Sequence, residues 1–499
     1  MSTLTDRPRD LRREAPAAPP AGAGRWWALV VLALAQLMVV LDATIVNIAL
    51  PTAQAGLGFS DADRQWVVTG YALAFGSLLL LGGRLSDFFG RKRMFLIGLI
   101  GFALASALGG AANGLEMLIL ARALQGAFGA ALAPAALSLL STTFTEPAER
   151  GKAFGIFGAI SGAGGGIGLL LGGVLTEYVS WRWCLYVNLV IAALAVAGAV
   201  FKLRDEPIPA HGRIDVPGTI AAVVGLVGLV YGLGKAETDG WTDAWTLGPI
   251  VVGVLALIAF VLIERRVEHP LLPLRVVLDR NRGGSYASIA IAGAGMFGIF
   301  LFLTYYLAQV LHFTPVKTGL AFLPMLGAVM LTATTAGSLL APRIGPRPLV
   351  PLGALIAAGG MVFLTRLQLD STYAGGVLPG LIIIGLGLGL VFAPTQNAAT
   401  SGVEHRDAGV ASAMINTVQQ IGGSIGTALL SSFAATAATD HLAGKQPTPQ
   451  LVAEAALESY HTVFWWSAGF FLLSAVVAAF LFRTGPLDVD PDAPPAMAH

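Results

Sequence analysis

Long apolar blocks dominate this chain, separated by short polar breaks. Fourteen of them occur, near 26–50, 65–83, 94–113, 116–140, 153–175, 184–202, 216–234, 247–265, 284–311, 319–341, 349–368, 376–398, 408–436 and 461–483. A block of about 20 apolar residues, rising about 1.5 Å each as a helix, crosses a bilayer with every backbone polar group paired internally. The pattern therefore predicts an all-α polytopic membrane protein of 14 transmembrane helices. An even count places both termini on one side. The glycine-rich blocks at 284–311 and 408–436 have the least defined ends.

The breaks divide by charge. With the N-terminus inside, 23 of the 30 Lys and Arg residues fall in inner segments and 6 in outer loops, Arg122 alone lying within a span. Retained loops collect basic residues, so both termini are expected in the cytoplasm and loop 437–460 outside, with the chain in the cell (inner or plasma) membrane. Composition agrees: 55% of residues are hydrophobic and 12% charged, against roughly 25% charged in soluble proteins. Nearly balanced charge, 30 basic against 29 acidic residues, argues against a nucleic-acid partner. Cys184, the single cysteine, excludes an intramolecular disulfide and a Cys-rich metal site, and no metal or cofactor is expected. Ala53-Gln54-Ala55 resembles a signal-peptidase site, but Trp26–Leu50 is too long for a signal peptide and reads as the first span.

These features divide the chain into a disordered cytoplasmic tail (1–25, rich in Pro, Ala and Arg), an N-terminal six-helix bundle (26–203), a linker carrying a transmembrane hairpin (204–282), a C-terminal six-helix bundle (283–483) and a second cytoplasmic tail (484–499). Secondary transporters are built from such repeats. A faint echo survives here. Gly83-Arg84-Leu85, followed by Gly90 and Arg91, recurs as Gly337-Ser338-Leu339 with Gly345 and Arg347, one residue longer and without the acid Asp87.

Four stretches carry chemistry. They are LDATIVNIALP (Leu41–Pro51), GRLSDFFGRKR (Gly83–Arg93), LILARALQGAFGAA (Leu118–Ala131) and GIGLLLGG (Gly166–Gly173). In this order they resemble the major facilitator superfamily, and within it the fourteen-helix drug:proton antiporters of the EmrB/QacA type. The likeness extends to WRW at 181–183, to 305–324 and to QQIGGSIG at 419–426, and departs at Leu169, where that family usually has proline. It implies a major facilitator fold, two six-helix bundles plus the inserted hairpin, and a proton-coupled exporter of small amphipathic compounds such as antibiotics.

Asp42 carries the most weight, because a carboxylate inside a span costs several kcal/mol unless it is protonated, paired or hydrated. Its natural partner is Arg122. Asp42 lies eight residues, about 12 Å, from the outer end of the first span, and Arg122 six residues, about 9 Å, from the outer end of the fourth. Burial favours the neutral form of a carboxyl group and a guanidinium the charged form, the two opposing pulls that proton coupling requires. A purely structural ion pair is the competing reading. In the 83–93 loop, Gly83 and Gly90 permit close backbone approach. The resemblance makes Asp87, with Arg91, part of a latch against the thirteenth span near Ala408, whereas the basic residues alone would serve as topology signals. In the fifth span Gly158, Gly162 and Gly166 form one track and Gly164, Gly168 and Gly172 another, with Gly173 following; small residues at this spacing let helices pack closely. Gln36, Gln125, Tyr305, Gln309, Asn397 and Asn416 are the candidate cavity residues, each equally explicable as interhelical packing, and Gln396, Gln420 and Tyr306 belong to the same class.

Other classes find little support. Gly422-Gly423-Ser424-Ile425-Gly426 matches G-x-S-x-G, but inside a helical run rather than after a strand. There is no H-E-x-x-H and no P-loop, so the chain is not expected to be an enzyme or an ATP-driven pump. A same-fold importer or uniporter is the nearer rival. The expected partners are a small-molecule substrate, protons and the bilayer, and the sequence is compatible with working alone or with a periplasmic adaptor.

Overall fold

The computed structural model describes residues 24–60, 63–144, 146–203, 215–268, 270–403, 407–446 and 448–485. The expected tails therefore lie almost wholly outside the described residues, as do Glu404, Arg406 and the side chains of Asp87 and Ser338.

Each apolar block is a helix. In chain order they are α1 (Gly24–Leu57), α2 (Arg64–Phe89), α3 (Arg91–Gly110), α4 (Leu115–Thr143), α5 (Pro147–Tyr178), α6 (Trp183–Lys202), α7 (Val216–Asp239), α8 (Ala244–Glu264), the single turn α9 (Leu274–Val277), α10 (Arg280–Tyr305), α11 (Pro315–Thr335), the single turn α12 (Ala341–Ile344), α13 (Pro346–Leu364), α14 (Leu378–Thr400), α15 (Ala408–Leu442) and α16 (Pro449–Leu481). Fourteen are long and apolar enough to cross a membrane. Their ends follow from local chemistry. Proline, which has no N–H to leave unpaired, opens α5, α11, α13 and α16. Side-chain oxygens of Asp215, Asp243, Asp279, Thr314 and Thr448 cap the first-turn amides of α7, α8, α10, α11 and α16.

Helices α1–α6 pack on one another, as do α10, α11 and α13–α16, while α7 and α8 pair as a hairpin whose α7 rests on α2 and α15. The result is two six-helix bundles plus an inserted hairpin. For orientation, the membrane face carrying Arg91, Lys92, Arg93 and Arg280 is here the basic face, and the other the opposite face.

Gly90 (φ 96°) joins α2 to α3, and Gly345 (φ 76°) joins α12 to α13 at the matching point of the second bundle. Both turns need a backbone conformation that disfavours a Cβ. The second is one residue longer, and the stretch Ala336–Leu340 before it is π-helical, a form that accommodates an extra residue in a continuous helix.

The bundles meet asymmetrically. Toward the opposite face one buried cluster includes residues of both, among them Val46, Leu50 and Val67 of the first and Phe302, Tyr305 and Phe322 of the second. There α5 touches α11, with Gly173 against Pro315 and Val316 and Gly166 facing Leu323 and Leu326. Tyr305 Oη donates to Gln54 Oε1 at 2.5 Å, and the Arg64 guanidinium lies 4.2 Å from the Tyr305 ring centre. Toward the basic face the core divides into one cluster for each bundle, touching where Leu80 of α2 packs against the second cluster and Ala413 of α15 against the first.

The segment between α8 and α10 binds the basic face together. Arg84 Nη2 of α2 donates to Pro270 O at 2.5 Å, and Glu264 Oε2 accepts from Leu272 N at 3.0 Å. Arg275 clasps Asp407 at the start of α15 through two bonds of 2.8 and 2.9 Å.

Candidate functional site

Close packing between α2 and α4 comes first, because it positions everything else. A Cβ at Gly126 would run into the Tyr71 carbonyl oxygen, and one at Gly82 into that of Ala130. Small residues at these two points bring the backbones together. Gly83, singled out from the sequence, has ordinary room, its nearest neighbour being Pro134 Cβ at 3.7 Å. The tight contact belongs to Gly82, one residue earlier.

With α4 held against α2, Arg122 points inward. Its Nε donates to Val67 O at 3.1 Å, and its guanidinium carbon lies 4.4 Å from the centre of the Tyr71 ring. Nη1 meets Asp42 Oδ2 at 2.5 Å, and Gln125 Oε1 at 2.8 Å. Asp42 is 0% exposed and Arg122 2%. A charge buried this far needs both a counter-charge and hydrogen bonds. Both are present, since Asp42 Oδ1 also accepts from Gln125 Nε2 at 2.8 Å and from Asn188 Nδ2 at 2.7 Å.

Ser106 of α3 completes the cluster. Its Oγ accepts from Gln125 Nε2 at 2.8 Å and from Asn188 Nδ2 at 3.3 Å, and donates to Phe102 O at 2.8 Å. Side chains from α4 and α6 thus converge on the one carboxylate of α1, and that of α3 braces two of them. Two buried oxygens beside it, Tyr71 Oη and Asn188 Oδ1, have no hydrogen-bond partner among the described residues. Val46, Leu50, Val67, Leu118 and Leu185, from α1, α2, α4 and α6, belong to the apolar cluster on the opposite-face side.

The α5 glycines bring α5 onto this part of α1. Gly164 faces Val40, Gly168 faces Leu41 and Thr44, and Gly172 faces Ile45, so this track fits α1 while Gly166 and Gly173 fit α11. Leu169 is buried, with its carbonyl against Gly319, and α5 runs as one helix from Pro147 to Tyr178.

The sequence candidates are thus dispersed. Asp42, Arg122 and Gln125 share one cluster, where Gln125 bonds both members of the ion pair. Tyr305 is wholly buried in the contact between the bundles. Gln309 is exposed toward the opposite face and accepts from Tyr460 Oη at 3.0 Å. Gln36 and Asn397 are half-buried and Asn416 exposed, and none of the three bonds to the Asp42 cluster. Nothing in the sequence pattern marks Asn188 or Ser106, whose side chains carry no charge. No group of three or more metal-ligating side chains occurs among the described residues.

Known proteins share this plan. The family model of the Major Facilitator Superfamily matches residues 32–427, and the chain belongs to that superfamily. It is 49% identical over 480 residues to puromycin resistance protein pur8 of Streptomyces alboniger, covering 94% of this chain and 95% of that one. It is 40% identical to the cephamycin export protein CmcT of Amycolatopsis lactamdurans, over 81% of this chain and 84% of the other. Among solved structures, a bacterial homologue of the human lysosomal transporter Spinster, in an inward-facing unoccupied conformation, superposes with a TM-score of 0.66 at 15% identity, over 93% of this chain and 98% of that one. An auto-inhibited POT family peptide transporter gives 0.67 at 16%, over 94% and 99%. These two likenesses are of fold. The protein is a multi-pass membrane transporter and not an enzyme.

Proposed function

We propose that the protein exports small amphipathic antibiotics from the cell in exchange for protons, with Asp42 as the proton carrier and Arg122 as its counter-charge. Relatives named for puromycin resistance and cephamycin export support efflux as the direction and antibiotics as the cargo. The observation that carries the coupling is the burial of Asp42 at the convergence of four helices, against a fixed guanidinium. A proton carrier must meet each side of the membrane in turn, and a carboxylate held between desolvation and a counter-charge is suited to change protonation as its surroundings change.

The charge asymmetry of the loops assigns the basic face to the cytoplasm. The contact between the bundles at the opposite face is then an external closure. Asp87 and Arg91 hold the cytoplasmic side in the alternate state, while the clasp between Arg275 and Asp407 is already made in this one. One carrier implies one proton per cycle, so export of a neutral compound moves one net charge and gains about 2.3 kcal/mol per 100 mV.

Proteoliposomes with an imposed pH gradient test this reading, using puromycin first and then lipophilic cations, neutral drugs and anions. Wild type is expected to move puromycin uphill. Asp42→Asn should abolish that movement while downhill exchange persists. Uphill transport retained in this variant would place the coupling elsewhere, with Glu404 and Asp407 the next candidates.

A further inference from the structure

A carboxylate ringed by donors has nowhere to put a proton. The Asp42 oxygens face Arg122 Nη1, Gln125 Nε2 and Asn188 Nδ2, all of them N–H donors in the arrangement described. A neutral carboxyl group would turn its O–H into one of these and lose a bond, unless a neighbour presents an acceptor instead. Arginine has no acceptor to offer. Gln125 has one, but its Oε1 already receives Arg122 Nη1 at 2.8 Å. Tyr71 and Cys184, the other titratable groups around Asp42, lie on α2 and α6, while α5 meets this stretch of α1 with glycines.

Two acceptors here are idle among the described residues, Tyr71 Oη and the Asn188 carbonyl, and of the two only Asn188 is already bonded to the carboxylate. Its amide nitrogen donates to Asp42 Oδ1, while its carbonyl oxygen is buried without a partner among the described residues. Leaving such an acceptor unmade is costly, so an idle carbonyl beside a functional carboxylate calls for an explanation. Half a turn of the amide exchanges its two ends. The nitrogen that served the carboxylate then gives way to an oxygen able to accept from the acid.

We propose that Asn188 is the positioning residue that adapts the site to both protonation states of Asp42, donating to the carboxylate and, after its amide turns over, accepting the proton-bearing oxygen of the neutral acid. The inference rests on Asp42 as the proton carrier and adds the partner that makes its neutral form tenable. Turnover gives up the 3.3 Å bond from Asn188 to Ser106, the longest in the cluster, whose Oγ keeps Gln125 as donor and Phe102 O as acceptor. The Arg122 bonds to Val67 and Gln125 are untouched by it.

Valine and threonine at position 188 separate this role from simple packing, because the two have nearly the same shape and only the threonine hydroxyl can both donate and accept. The first readout is the infrared carbonyl band of the protonated Asp42 carboxyl in purified full-length protein, identified by its loss in Asp42→Asn and followed against pH. In Asn188→Val this band should move to higher wavenumber, as an acid without an acceptor does, and in Asn188→Thr it should stay close to wild type. The second is puromycin accumulation driven by a pH gradient in proteoliposomes, expected to fall about tenfold or more in Asn188→Val and to be largely kept in Asn188→Thr. An Asp42 band that titrates in wild type but is unmoved in Asn188→Val would overturn the role of Asn188 alone. Absence of any titrating Asp42 band in wild type would overturn the proton carrier itself, and Asn188 with it.

Discussion

At the scale of single residues, the ion pair was legible and its surroundings were not. Asp42 and Arg122 stand out because charges inside spans are rare, and counting residues from the span ends placed them at one depth. Asn188 and Ser106 carry no charge, and polar amides and hydroxyls in spans serve packing as often as chemistry. The same count would have found them. Asn188 lies five residues into α6, about 8 Å, and Ser106 four residues from the end of α3, about 6 Å, close to the level of Arg122. Geometry also distinguishes charge from shape at position 122. One guanidinium serves Val67 O, Gln125 and Asp42 and covers the Tyr71 ring, which a lysine ammonium on its flexible stem cannot reproduce. Arg122→Lys should therefore leave the charge in place yet lower gradient-driven efflux about tenfold in the proteoliposome assay. Wild-type rates in that variant would mean that charge alone suffices.

At the scale of elements, spacing in the sequence foretold which glycines pack but not against what. The track Gly164, Gly168 and Gly172 meets α1, and Gly166 and Gly173 meet α11, so one helix packs both on the helix that carries Asp42 and on the second bundle. Proline was the missing feature at position 169, and with leucine there α5 is continuous. The one-residue excess in the second-bundle echo was visible as a count, but its absorption into a π-helical stretch was not, because that depends on three-dimensional hydrogen bonding. A paired substitution checks the packing. Gly168→Val would press against Thr44 and the Leu41 carbonyl and is expected to cost about 1–3 kcal/mol, lowering the thermal midpoint in detergent. Gly165→Ala meets only Thr44 Cγ2 at 4.0 Å and should unfold like wild type. Equal midpoints for the two variants would contradict the close approach of α5 to α1.

For the whole molecule, hydropathy sufficed for the fourteen helices, since length and apolarity alone determine what can cross a bilayer, whereas the grouping into bundles rested on the basic segments that flank the hairpin and on the resemblance. Sidedness comes from charge and is tested separately. Tags after residue 499 should be protected in intact cells and a tag within 437–460 reachable, and a C-terminal tag reachable from outside would reverse the assignment. Contacts between the bundles were beyond the sequence, because they depend on how the halves lean together. They also place two ion pairs in different solvents. Asp42 and Arg122 are sealed from water, while the Arg275 side chain is 52% exposed where it holds Asp407. Mobile ions screen the second and scarcely reach the first, over a Debye length of about 8 Å at physiological ionic strength. Under the proposed orientation, a rise in cytoplasmic salt should loosen the clasp between Arg275 and Asp407 and leave the buried pair of Asp42 and Arg122 as it was.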